Sequence, residues 1–425
     1  MTSTPVTTPP KLRIPALTGL RWFAALAVFF HHSAAHDSLP EPVRRIMGAG
    51  SNGVTFFFLL SGFVIALNYF DGATRPTPRG TWNYLIGRLA RVYPLYLLVL
   101  VVVWLAVDHH SNTSRFLIQV LALQSWHPSL VITYGINAPG WSIGVEFFLY
   151  ACFPLLVLVL RPIANNARAL LAVAAATIVA TFVFAALFQH FRNGLPATNP
   201  FSAHRWLYRT PATRLGDFTL GVVTALLLRQ AKLSWSASAT RDRVLSPMLT
   251  WLPLVATLLL MAWPDRTRYY ASYDALWMLP GALLFFGLGQ YPQSMLGRFL
   301  STRAVVLLGE VSFAFYLVHR PLMLAVGEAS WMDDSLPAYL AKMTVLVAFI
   351  TVVAAGCHFL WERPAQRLVN RYLRIRPPAA PGGTPTPTAS STSEVGDRPQ
   401  DLRVEVAVDA AEEGKVLARV TEERA

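Results

Sequence analysis

The chain has 425 residues, 54% of them hydrophobic and only 14% charged, with a formal net charge of +13. Soluble domains carry about a quarter charged residues, so this composition excludes an ordinary soluble enzyme. It predicts an all-α, polytopic integral membrane protein, since runs of about 20 mainly apolar residues cross the hydrocarbon core as helices. The basic residues are spread over loops beside the apolar runs, which argues against nucleic acid as a partner and for topology and contact with membrane lipid.

Residues 1–12 read as a flexible N-terminus ahead of a first span, 17–36. A basic start before an apolar run is like a secretory signal, but an arginine and two histidines interrupt it and further spans follow, so it reads as an uncleaved helix. Here LTGLRWFAALAVFFHHS sets Arg21 and His32 eleven positions apart. Eleven steps of about 100° leave about 20° over three turns, so both side chains share one face, about 16 Å apart, while His31 lies about 80° off it. Ionisable groups inside a span are expensive and mark functional sites; the bland alternative is an interfacial arginine and a packing histidine.

Span 52–70 holds Ser61 and Gly62, small residues suited to close helix packing. Before span 92–108, GRLARVYPLY sets Arg88 and Arg91 three apart and therefore on one helical face. Paired guanidiniums suit phosphates, and equally an ordinary cytoplasmic anchor. The segment 113–132 reads as interfacial or re-entrant. Span 141–160 opens on Trp141 and Ser142 with Glu146 about one turn in, where a carboxylate needs a partner and a structural ion pair competes with a catalytic role. Span 168–188 follows, and span 213–229 opens on Arg214 and Asp217, a local ion pair by spacing. After spans 247–263 and 274–290, span 304–325 carries Ser312, Tyr316 and His319 at spacings of four and three along one face. Span 339–361 ends on Trp361, Glu362, Arg363 and Pro364. Cys152 and Cys357 have no metal or redox spacing and read as inert thiols.

Ten spans place both termini in the cytoplasm if Lys and Arg mark the inner loops. Lys11 and Arg13, Arg75 to Arg91, Arg161 and Arg168, Arg229 to Arg243, Arg298 and Arg303, and Arg363 to Arg376 obey that alternation. Arg44, Arg45, Arg192, Arg205 and Arg209 do not. Residues 374–425, rich in Pro, Gly, Ser and Thr and then acidic, read as a largely disordered cytoplasmic tail. In this orientation Arg21, Arg88, Arg91 and Glu362 fall on the cytoplasmic side, and His32, Glu146 and His319 in the outer half. An anion grip joined to an acid/base site suits acyl transfer from a CoA thioester to a hydroxyl, which needs cations for phosphates, a base and oxyanion donors. A histidine titrating near neutrality suits the base. The competing class is a proton-coupled transporter or flippase in which His32, Glu146 and His319 relay protons, giving flux without acyl-CoA turnover.

Several patterns in order carry a family likeness: Arg21 to His32, Ser61-Gly62-Phe63, Arg88 to Pro94, Asn137 to Glu146, Arg214 to Gly221, Tyr316 to Pro321, and Glu362 with Pro364. Over roughly residues 13–373 the chain resembles the acyltransferase family 3 membrane proteins, which include O-antigen and peptidoglycan O-acetyltransferases and macrolide O-acyltransferases. The resemblance implies a ten-helix multi-pass protein of the cell membrane that uses acyl-CoA as co-substrate, with no tightly bound cofactor. It implies His32 as general base with Arg21 on the same helix, Arg88 and Arg91 on the CoA phosphates, and Glu146 with Trp141 and Ser142 shaping the acid/base or acceptor site. Ser61, Tyr316 and His319 are further candidates for substrate contact. The acceptor would be a hydroxyl of a carbohydrate or a glycosylated metabolite. Ser61, Ser142 and Ser312 could instead form an acyl-enzyme, although direct attack by the acceptor requires fewer assumptions. No metal is expected, because His31, His32, His36 and Asp37 lack the usual helical ligand spacing. Larger relatives carry an SGNH hydrolase-like domain, for which the residues after the last span are too few and too simple, so transfer is expected within the membrane domain or with a separate partner.

Overall fold

Long apolar runs punctuated by Gly, Pro and charged residues leave the backbone one economical solution in lipid, which is to satisfy its hydrogen bonds within helices. The computed structural model describes residues 13–70, 77–107, 113–191, 194–234, 238–264 and 269–375, and every regular element among them is helical. The first half comprises α1 (Pro15–His32), α2 (Glu41–Ala49), α3 (Gly53–Tyr69), α4 (Pro78–Val107), α5 (Thr113–Val120), α6 (Leu130–Thr133), α7 (Trp141–Leu160) and α8 (Ala167–Phe191). The second comprises α9 (Leu215–Ser234), α10 (Ala239–Ala262), α11 (Ala275–Gln290), α12 (Met295–Leu300), α13 (Arg303–Val326), α14 (Leu336–Cys357) and α15 (Arg363–Leu373). The chain is an all-α polytopic membrane protein. The expected flexible N-terminus, residues 1–12, and the tail from 376 onward lie outside the described residues.

Each of the ten expected spans falls on a helix, yet seven of the described helices are long and apolar enough to cross a membrane. The others differ for physical reasons. Helix α11 is short, α1 carries Arg21, His31 and His32, and α9 carries Asp217, Arg229 and Lys232. Two boundaries also move. Helix α1 stops at His32, four residues before the expected end, because Ser33 turns extended while its N–H still caps Phe29 O at 3.1 Å. Helix α4 starts at Pro78 and runs through Pro94, so Arg88 and Arg91 sit inside it instead of preceding it. A proline removes one rung of the ladder, and neighbouring helices in a membrane bundle make that tolerable.

The arginines that break the positive-inside pattern are held locally. Arg44 and Arg45 both pair with Glu41 on α2, at 2.6 and 2.9 Å. Arg205 donates to Pro200 O at 2.8 Å, and buried Arg209 donates to the carbonyls of His127 and Pro128 at 2.9 and 2.6 Å. Arg192 lies outside the described residues.

Two close helix pairs place the site: α3 against α9, and α1 against α13. Gly62 of α3 faces the backbone carbonyl of Phe218, and Gly309 of α13 faces that of Thr18 on α1. A Cβ at either position would collide with backbone, so glycine is what lets these helices approach so closely, as small residues do throughout membrane bundles. The α1–α13 contact brings the end of α1, with His32, beside His319. Near the start of α9 lies a fully buried charge cluster. Arg214 reaches Asp217 at 3.2 Å, Asp274 at 2.8 Å, Thr55 Oγ1 at 3.0 Å and Tyr208 O at 2.6 Å. The expected local pair is real, and a residue about sixty positions away completes it.

Candidate active site

His32 closes α1, and its Nδ1 lies 2.9 Å from Val28 O and 3.1 Å from His319 Nε2. His319 Nδ1 lies 2.7 Å from Tyr316 O. Carbonyl oxygens only accept, and a neutral imidazole has one donor and one acceptor nitrogen. His319 therefore donates from Nδ1, which leaves its Nε2 to accept. His32 then donates from Nδ1, and its Nε2 keeps a lone pair with no hydrogen-bond partner among the described residues. Arg320, paired with Glu328 at 3.3 Å, donates to the His32 carbonyl at 3.2 Å and so satisfies the helix end. His31 points elsewhere, with Nδ1 2.9 Å from Gly48 O.

A cavity of about 690 Å³ lies between α1, α3, α4, α7, α13 and the π-helical turn His358–Glu362. It follows α3 from Val54 to Tyr69, fifteen residues or about 22 Å of helix. Five arginines and three glutamates line it, an excess of positive charge that runs from the exposed Arg13 and half-buried Arg363 and Glu310 into the bundle. Arg21, Arg91, Glu146 and Glu362 interact electrostatically across it. Glu146 accepts from Ser61 Oγ at 3.3 Å and from Tyr150 OH at 3.0 Å. Arg88 donates to Tyr69 OH at 3.1 Å and stacks 5.1 Å from that ring. Glu362 pairs with His358 Nδ1 at 2.8 Å, and His358 Nε2 is buried with no hydrogen-bond partner among the described residues.

This arrangement regroups the expected residues. Glu146 joins Arg21 and Arg91 in the cavity, whereas His32 and His319 lie outside its lining. Depth counted from helix entry put Glu146 with the histidines, because one helix's register carries no information about which cavity its side chain enters. Tyr316 links the two sets. Its hydroxyl lies in the cavity wall 2.9 Å from Ser142 Oγ, both hydroxyls reach Pro139 O at 3.1 Å, and its backbone carbonyl holds His319. Trp141 is not in the lining; it is buried against Tyr208, with ring centroids 5.0 Å apart. Ser312 donates to Gly309 O at 2.8 Å within its own helix. Sequence reading missed Tyr150 and His358, although each stands four positions from a glutamate, the spacing that joins side chains on one helical face.

The family comparison rests on nearly the whole of this framework: residues 14–359 match the model of the acyltransferase domain of acyltransferase family 3. The chain belongs to acyltransferase family 3. It is 30% identical over 387 residues to the acyltransferase MdmB of Streptomyces mycarofaciens, covering 85% of this chain and 94% of that one. It is 24% identical over 392 residues to a Staphylococcus aureus protein named as an O-acetyltransferase, covering 87% of this chain and 60% of the relative. An Acidianus two-tailed virus protein named as an acetyltransferase is 24% identical over 314 residues, 74% and 84% of the two chains. No solved structure matches the chain. This family 3 protein is thus a membrane acyltransferase, and it requires an acyl donor and a hydroxyl acceptor.

Proposed function

We propose that this acyltransferase moves a short acyl group, acetyl first among them, from acyl-CoA to a hydroxyl of a carbohydrate or of a glycosylated metabolite such as a macrolide. The carrying observation is that the hydrogen bonds of the histidine pair leave His32 Nε2 as an unprotonated acceptor, and that its partner His319 is held by the backbone of Tyr316, a residue in the wall of a positively charged cavity. The donor enters from the cytoplasmic face of the cell membrane, in a topology of ten spans with both termini in the cytoplasm. Arg88 and Arg91 hold its phosphates, and its thioester lies toward Ser142 and Tyr316. His32 Nε2 takes the acceptor's hydroxyl proton as the oxygen attacks the thioester carbon. The Tyr316 and Ser142 hydroxyls, which donate to Pro139 O in the free site, turn from it to donate to the developing oxyanion. The C–S bond then breaks, and the CoA thiolate leaves with the proton returned from His32. Arg21, tied electrostatically to Glu146, keeps the donor end of the cavity charged and ordered.

The test is isotope-labelled acetyl-CoA supplied to membranes containing the protein, with mass spectrometry of envelope glycans and secreted metabolites. A labelled ester formed with wild type and absent with His32→Ala supports the reading. Acceptor crossing the membrane with no acetyl-CoA consumed would sink it in favour of a transporter.

Two further results are expected from the same assay. Arg88→Ala with Arg91→Ala raises KM for acetyl-CoA by about 10- to 100-fold with little change in kcat, the loss of one or two charge-assisted hydrogen bonds. His319→Ala lowers kcat by about 10- to 100-fold and leaves the KM for acetyl-CoA in place, because His32 loses the second acceptor that orients its ring, while Val28 O alone still holds the Nδ1 proton. His319→Gln recovers part of kcat, since its amide oxygen can occupy the accepting position. Equal activity of the alanine and glutamine variants would argue against a positioning role.

A further inference from the structure

Helix α15 carries a row of arginines that the acyl-transfer steps above leave unused. Arg363, Arg367 and Arg371 follow at intervals of four, so they fall within a sector of about 80° and extend about 12 Å along the helix, and Arg374 caps its C-terminus in an extended conformation. With Gln366 and Asn370 they line a surface groove of about 560 Å³. Only Arg363 has an acidic partner among the described residues, Glu310 at 2.6 Å. Like charges at these spacings repel, and a row of four with a single acidic partner is a binding surface for a polyanion.

Position decides which polyanion. Arg363 and Gln366 line both this groove and the large cavity, so the groove begins where the donor cavity opens. The row is also held in place. Trp82 Nε1 of α4 donates to Leu373 O at 2.9 Å, and Asn83 exchanges two hydrogen bonds with the backbone of Ile375 at 2.9 and 2.8 Å. Arg374 packs against Gly87 of α4, one residue before Arg88. A ligand whose diphosphate rests on Arg88 and Arg91 would carry its next phosphate out of the cavity mouth and onto this row.

Building on the acyl-CoA reading, we infer that the α15 arginines bind the 3′-phosphate of the donor's nucleotide and thereby distinguish acyl-CoA from donors that lack it. The shared chemistry is a phosphate ester, which an anionic lipid headgroup also offers, because Leu368 and Tyr372 on the same helix are exposed. Continuity with the donor cavity assigns the row to the nucleotide.

The experiment compares acetyl-CoA with acetyl-3′-dephospho-CoA as donors for the full-length protein in nanodiscs, in wild type and in Arg367→Ala with Arg371→Ala. Wild type should show a KM about tenfold or more lower for acetyl-CoA. The double variant should lose that preference, its KM for acetyl-CoA rising to meet that for the dephospho donor. Turnover of the dephospho donor shows that the variant is folded. An equal KM for both donors in wild type, or a variant that keeps the preference, overturns the inference. So does a loss of activity that affects both donors alike and follows the phosphatidylglycerol content of the nanodisc, which would assign the row to lipid. Failure of wild type to use either donor would count instead against acyl-CoA as the donor, and so separates the two proposals.

Discussion

His32→Ala lowers kcat for acyl transfer by about 100- to 10,000-fold, the range general base catalysis supplies. KM for the acyl donor changes little, because His32 lies outside the lining of the donor cavity. The protein still folds, since His32 is the last residue of α1 and its side chain bonds only to Val28 O and His319 Nε2. Steady-state kinetics of detergent-purified protein, with thermal unfolding alongside, checks both parts. Normal turnover by a well-folded variant would remove His32 as the base. His31→Ala is the control: its ring nitrogen serves Gly48 O, so transfer should persist.

Arg214→Ala should give the largest loss of stability of any single substitution in the described bundle. Its guanidinium is fully buried, faces Asp217 and Asp274 together, and also ties Thr55 of α3 to the Tyr208 carbonyl. Removing one partner of a buried ion pair costs about 3–5 kcal/mol. Here two carboxylates would be left facing each other, and Asp217 Oδ1 already lacks a hydrogen-bond partner among the described residues. Against a total stability of about 5–15 kcal/mol that is a large fraction. The expected outcome is little monodisperse protein after solubilisation, with partial recovery on adding Asp217→Asn and Asp274→Asn to neutralise the orphaned acids. A melting temperature within a few degrees of wild type would refute it.

What the sequence made legible was whatever depends on one helix at a time. The eleven-residue interval on α1 and the Arg88/Arg91 pair follow from helical periodicity and are helical in the structure, and the Arg214/Asp217 pair forms across the start of α9, with Arg214 in the turn just before it. Partners from elsewhere in the chain were not legible. His319 was expected to touch substrate, but it bonds to His32 from 287 residues away. Asp274 completes the Arg214 cluster from a different loop, and Glu146 sits with Arg21 because helix packing, not depth, decides which side chains share a cavity. The ordered motifs made the family recognisable even so, and the patterns Asn137 to Glu146 and Tyr316 to Pro321 already contain Glu146 and His319, though not Asp274.

Tyr316 and Ser142 stand in the wall of the donor cavity, both hydroxyls turned onto Pro139 O, and the Tyr316 carbonyl holds His319 outside that wall. A membrane that stores energy as a proton gradient tolerates no continuous thread of water through the proteins embedded in it. A charged, solvent-sized cavity on one side and a titratable histidine on the other would form such a thread if they merged. Tyr316 stands at that junction, with its hydroxyl in the cavity wall and its backbone carbonyl holding His319 outside the lining, so a single residue carries the partition between the wet donor side and the proton-accepting pair.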